Sequence, residues 1–297
     1  MSDVDPAAAP PELAGPFLVS TLHAMGVRMS GAAPRVLAAA DDEAVHDLRV
    51  AIRRTRTVLE VGREVLGRFR ADEVRRALRE VQRATGDLRD EEVLLELIES
   101  TSVRRPDVRA WLDARRRREA RLRTVLRRAV RAGDVDRGRQ LLDALLAFRT
   151  KPSRERHLSK FARRAVGGAL HDVERLQRPS LEDVDALHRL RIAYKRLRYT
   201  VEVFNDVLPE PERLLAPAAS RFQSRLGDIH DADIGLACVE RARILTDAGR
   251  RALRAALRRI RDERATAYAK EISAHDAARA MTTHASGTDS LRKTSTR

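Results

Sequence analysis

The sequence is poor in several things at once. A single cysteine, Cys238, excludes an intramolecular disulfide and any cysteine-cluster metal site. Aromatic residues are only 3% of the 297, so platforms on which nucleobases could stack are scarce. Lysine is scarce too: Lys151, Lys160, Lys195, Lys270 and Lys293 are the only five among 59 basic residues. No apolar run approaches the length that spans a bilayer, and no membrane partner is expected. The first residues, with Asp3, Asp5 and several prolines, lack the basic start and apolar stretch of a signal peptide, so a cytoplasmic protein is expected.

What remains is rich in Ala, Leu, Arg and Glu, all strong helix formers, and an all-α fold follows. The formal net charge is +15, carried almost wholly by guanidinium groups, which suit bidentate contact with phosphate. An anionic partner is implied, although arginine abundance also follows from a GC-rich genome. Placement of the arginines has to decide.

Residues 1–12 and 276–297 have the composition of disordered tails. Between them, apolar residues recur at helical spacing. Breaks are expected near Gly31–Pro34, Gly67–Asp72, Arg105–Asp107, Gly133–Asp134, Lys151–Ser153, Pro179–Ser180, Pro209–Pro211 and Asp247–Gly249, which predicts about eight helices.

The strongest signal is an internal repeat. AVHDLRVAIRRTRTVLEVG, from Ala44, is answered by ALHRLRIAYKRLRYTVEVF, from Ala186, at an offset of 142 residues. RATGDLRDEEVLLELIE and SRLGDIHDADIGLACVE repeat downstream at an offset of 141. Two halves, 13–137 and 138–275, are expected to form two four-helix bundles related by a pseudo-two-fold axis, enclosing a central basic channel.

At about 100° per residue, His46, Arg49, Arg53 and Arg56 fall on one narrow helical stripe, as do His188, Arg191, Lys195 and Arg198. Leu48, Ile52, Thr55 and Leu59, matched by Leu190, Tyr194, Leu197 and Val201, occupy the neighbouring face. Each stripe runs about 15 Å, long enough to follow several linked phosphates. Like charges at this spacing repel by a few tenths of a kcal/mol per pair, so the row calls for a counter-charge. The bland alternative is a solvated helix face, but the only acids on the stripe are Glu60 and Glu202, placed to tether the terminal arginines. Arg54 and Arg196 lie to one side as even candidates for anion contact.

A histidine beside a bound polyanion would be held protonated, so binding is expected to strengthen towards pH 6. The repeated Gly-Asp-x-x-Asp, at Gly86, Asp87, Asp90 and at Gly227, Asp228, Asp231, is expected to orient the stripe through salt bridges, with metal binding as the alternative. Arg115–Arg118 and Arg163–Arg164, near His157, Lys160 and His171, could extend a channel. No cluster of orienting carboxylates supports a nucleophilic histidine, so no catalytic residue, cofactor or resident metal is expected.

At HDLRVAIRRTR and HRLRIAYKRLRYTVEVF, and at the following LRDEEVLL and IHDADIGL, the sequence resembles the CHAD family, the conserved histidine α-helical domain, over about residues 13–275. The resemblance implies two four-helix bundles around a basic cavity and a module that binds inorganic polyphosphate and can direct proteins to polyphosphate granules. It implies ligand contacts at His46, Arg49, Arg53, Arg56, His188, Arg191, Lys195 and Arg198, and less directly at Arg54 and Arg196. Thr55 departs from the pattern, which has an apolar residue there. The Glu-x-Glu-x-Lys metal motif of relatives fused to a triphosphate tunnel enzyme has no counterpart, so a stand-alone binding module is expected. Nucleic acid is the rival partner, weakened because Tyr194, Tyr199 and Phe204 are the only aromatics of the repeated pair.

Overall fold

The computed structural model describes residues 13–39, 43–147, 156–176 and 178–293, with side chains to residue 274. Twelve α-helices lie within the described residues: α1 (Ala14–Ala38), α2 (Glu43–Val61), α3 (Arg63–Leu66), α4 (Arg68–Ala77), α5 (Arg79–Ser100), α6 (Pro106–Arg131), α7 (Asp134–Leu146), α8 (Leu158–Leu176), α9 (Val184–Val203), α10 (Glu210–Arg213), α11 (Leu215–Arg241) and α12 (Asp247–Lys293). A single 3-10 turn spans Asn205–Val207, and no strand occurs among the described residues.

The local signals mostly act where they stand. Gly67 and Gly133 adopt φ of 94° and 86°, a left-handed backbone that glycine tolerates, and they separate α3 from α4 and α6 from α7. Pro106 opens α6 where its missing N–H costs nothing, with Asp107 in the first turn. The Asp183 side chain accepts a hydrogen bond from the Ala186 amide at 2.9 Å and caps α9. The break expected at Gly31–Pro34 does not occur. Pro34 lies inside α1, where it forfeits one backbone hydrogen bond, while Ala32, Ala33 and Val36 around it are buried in the core and hold the last turns in place.

Four helices of each half form the frame: α1, α2, α5 and α6 in the first, α8, α9, α11 and α12 in the second. Within the halves α1 packs on α2, α8 on α9, α5 on α6 and α11 on α12. Across them the repeated helices meet, α2 on α9 and α5 on α11. The first half also carries α3, α4 and α7. Helix α7 packs on α1 and α4, so the boundary expected after residue 137 falls inside a helix that belongs wholly to the first half.

One large core runs through both halves, from Leu18, Leu48, Ile52 and Leu88 to Leu190, Leu197, Phe222 and Leu226. Phe204 joins α1 to α8, its ring 5.6 Å from Phe17 and 5.9 Å from Phe161. A second cluster, including Leu97, Trp111, Val239, Leu253 and Leu257, closes the far ends of α5, α6, α11 and α12. There the Thr246 amide and hydroxyl donate to Asp107 at 3.0 and 2.6 Å, tying the start of α6 to the start of α12.

The tail expected at 1–12 lies outside the described residues. From residue 276 the backbone continues as α12 as far as Lys293, beyond the expected boundary, in keeping with the alanines at 277, 278, 280 and 285.

Candidate functional site

Burial of Leu48, Ile52, Thr55 and Leu59 on α2, and of Leu190, Tyr194, Leu197 and Val201 on α9, fixes the rotation of both helices. The charged faces then meet where the helices cross, with α5 and α11 as the other walls. The result is a cavity of about 300 Å³. Arg49 and Arg53 enter it from α2, and His188, Arg191 and Lys195 from α9. Gln82, Thr85 and Asp90 of α5 and His230 and Asp231 of α11 complete the polar lining, with Gly86 beside them.

The cations here lack counter-ions. Ion pairs form at the flanks, through Arg54, Arg196 and Arg198, but among the described residues none within 4.0 Å involves Arg49, Arg53, Arg191 or Lys195. Nε of Arg53, Nε of Arg191 and Nδ1 of His188 are buried with no hydrogen-bond partner. Such orphaned donors are costly unless a ligand takes them up. The Arg53 guanidinium lies 4.5 Å from the centre of the Tyr199 ring, a cation–π contact that supports it from below.

Titration follows the same pattern. Burial, reinforced by Arg191, Arg49 and Arg53, pushes the Lys195 amine down to about 8. Burial and Arg191 lower His188, and burial, Arg191 and His188 push His230 down to about 4. The two imidazoles lie 4.6 Å apart between centroids, tilted by 40°. Asp90 and Asp231 move the other way, raised by burial against the pull of Arg49 and Arg191. Each of these groups is displaced towards its neutral form.

Five of the ten residues singled out from sequence therefore share one cavity, and five do not. His46 is exposed in a separate groove against α1, beside Arg28 and Arg35, the latter paired with Asp47 at 2.6 Å. Arg56 donates to the Arg75 carbonyl at 2.7 Å, and Arg198 donates to Glu202 at 2.7 Å. Arg54 lines a second cavity, between α1, α2 and the end of α9, and comes within 4.0 Å of Glu202. Arg196 faces outward to Asp172 at 2.8 Å. The reason is geometric: straight helices that cross stay close over only a turn or two, so a stripe of ten residues outruns the cavity at its ends.

Other expectations need correction. Glu202 does tether Arg198, but Glu60 pairs with Arg75, at 2.5 Å, rather than with Arg56. Asp90 and Asp231 line the cavity without forming the expected short salt bridges to the stripe. Gly227 of α11 faces Arg191, whose Nε would lie in ordinary contact, at 3.5 Å, with a Cβ at that position. No group of three or more His, Cys, Asp or Glu is placed to hold a metal ion among the described residues. Arg115 and Arg118 both bind Glu91, and Arg163 binds Glu212, so these runs serve packing and surface pairing instead of extending the cavity. Thr55 is fully buried, its hydroxyl satisfied by the Ala51 carbonyl at 2.9 Å.

Two contributors escaped the sequence reading. His230 sits inside the second Gly-Asp-x-x-Asp segment, and Tyr199 follows Arg198 and falls beside the stripe on the helical wheel. Both signals were present, but a wheel drawn for one helix says nothing of what a neighbouring helix brings.

Among the described residues no helix is long and apolar enough to cross a membrane. The fold has solved counterparts. The crystal structure of the CHAD domain from the plant Ricinus communis is similar with a TM-score of 0.62 and 20% identity, over 93% of each chain. PptA from Streptomyces chartreusis is similar with a TM-score of 0.60 and 19% identity, over 86% of this chain and 95% of that one. No curated protein matches the sequence. The model of the CHAD domain matches residues 22–240, well over half of the chain, and with the repeated basic helices and the all-α fold already in view, the protein belongs to the CHAD domain family.

Proposed function

We propose that this protein binds inorganic polyphosphate, without turning it over, in the cavity between α2 and α9. One observation carries the reading: Arg49, Arg53, Arg191 and Lys195 converge from two helices on one cavity with no carboxylate within 4.0 Å among the described residues. A linear phosphate chain supplies the missing negative charge at a spacing the row of cations can follow, and it offers acceptors to the orphaned Nε groups. Nucleic acid fits less well. No Phe, Tyr or Trp is among the residues lining the cavity, so bases would find no stacking platform beyond the two imidazoles and the guanidinium planes.

Titration with polyphosphates of graded length tests the proposal, together with competition by single-stranded RNA at equal phosphate concentration. Polyphosphate should win clearly; equal competition overturns the reading. Affinity should fall with salt at a log–log slope of about −0.7 per neutralised charge, so about −3 for four cations. For catalysis, the buried Nδ1 of His188 has no hydrogen-bond partner, and so no orienting carboxylate, among the described residues. Incubation with polyphosphate and magnesium should release no phosphate. In cells, a fluorescent fusion should be cytoplasmic and gather at polyphosphate granules, and a diffuse signal in granule-bearing cells would count against the targeting role.

A further inference from the structure

The cavity holds two groups that a pure anion receptor should not contain. Asp90 of α5 and Asp231 of α11 come from the equivalent segments of the two halves, and both face the space a polyanion would fill. Neither carboxylate is drawn into an ion pair within 4.0 Å among the described residues, although Arg49, Arg191 and Lys195 surround Asp90 and Arg191 and Arg264 surround Asp231. They also feel each other, and Asp87 and Asp228 add further negative charge behind them. His188 and His230, on α9 and α11, close the same wall.

We infer that Asp90 and Asp231 are selectivity residues of this cavity, a carboxylate pair that takes up protons as a phosphate chain enters and so turns from repelling anions to donating hydrogen bonds to phosphate oxygens. This rests on the polyphosphate reading and adds a role to the same site. The chemistry balances simply: each carboxylate takes one proton from solvent, and the resulting O–H donates to the ligand. Burial already holds both groups above the usual carboxylate range in the empty protein, so the step is partly prepared. A ligand that raises a carboxyl's pKa by one unit loses about tenfold in affinity at pH values above both pKa values, and this penalty falls on every anion alike. Only a chain dense enough in charge to engage all the cations at once offsets it. Orthophosphate does not, and is rejected.

The competing view makes the aspartates structural partners that steer the arginines, and it predicts the opposite outcomes. The test is Asp90→Asn with Asp231→Asn, alone and together, in the full-length protein, titrated calorimetrically with long-chain polyphosphate and with orthophosphate. Measurements at pH 6.0 and 7.5, in two buffers of different ionisation enthalpy, give the protons taken up. With each carboxyl's pKa raised by about one unit on binding, the double variant should bind polyphosphate roughly a hundredfold more tightly at pH 7.5, take up fewer protons than the parent at pH 6.0, and gain measurable affinity for orthophosphate. Its ligand-free melting temperature at pH 7 should hold or rise. The sign follows from the raised carboxyls, whose stabilising contribution is present in acid and lost as pH rises through their folded pKa, a loss that a neutral Asn avoids. Weaker binding with a lower melting temperature would establish the structural role and overturn the inference, as would unchanged proton uptake. Failure of the parent itself to bind polyphosphate would overturn the function, whereas a parent that binds and a double variant that binds no better would overturn only the carboxylates' role.

Discussion

Helices α2 and α9 are close copies in sequence, yet they do unequal work. On α9, His188 is half-buried and in tilted ring contact with His230; on α2, His46 is exposed and turned to α1. The difference lies in the neighbours. The residue answering His230 in the first half is Arg89, which reaches Glu92 and Glu96 at 3.7 and 3.6 Å and leaves His46 without a ring to meet. Tyr199, which supports Arg53, is answered in the first half by Thr57, so Lys195 has no such ring beneath it. Repetition in the sequence gives two similar cationic stripes, and small changes on the helices around them leave the second histidine in the cavity and the first outside it.

The comparison can be broken most forcefully by charge reversal in both halves. Arg49→Glu and Arg191→Glu should each weaken polyphosphate binding by several kcal/mol, since hydrogen bonds to charged groups contribute roughly 1.5–3 kcal/mol each. Equilibrium titration with circular dichroism as a check on folding measures this. A loss confined to one half would mean that the two helices do not share a ligand.

Next in size is the pH profile. With Lys195 at about 8 in the empty cavity and drawn upward by a bound polyanion, the complex holds the extra proton. The contribution of Lys195 to affinity should therefore be full below pH 7 and decline as pH rises through 8 towards 10, and Lys195→Arg should flatten that decline. His188 adds a second gain on acidification, and because burial and Arg191 lower it in the empty cavity, that gain is complete only below the usual histidine range. The histidines themselves give a sharper contrast: His188→Ala should cost about 1 kcal/mol of binding, and His46→Ala close to nothing. Smallest is Tyr199→Leu, which removes the ring under Arg53 and should weaken binding by roughly 0.5–1 kcal/mol, with no equivalent effect from Thr57→Ala.

Much of this was legible beforehand because helical periodicity is local. The all-α class, the repeat, the buried faces headed by Leu48 and Leu190, and the sharing of one stripe by Arg49 and Arg53 and of another by Arg191 and Lys195 follow from spacing alone. The fates of Arg56, Arg198 and Arg196 were not legible, since each was settled by a partner far away in sequence or one turn along, such as the Arg75 carbonyl or Asp172. Pro34 misled for a related reason: a lost hydrogen bond is a local cost, and tertiary burial outweighed it.

The chain by itself determined that two helices would each bear an apolar side and a basic side, because side-chain direction on a helix is set by residue spacing. Only the packing of α2 on α9, with α5 and α11 across from them, decided which cations meet, which are neutralised at the flanks and which carboxylates stand among them. Crossing point and neighbour identity depend on contacts between residues more than a hundred positions apart, and no periodicity within one helix encodes those.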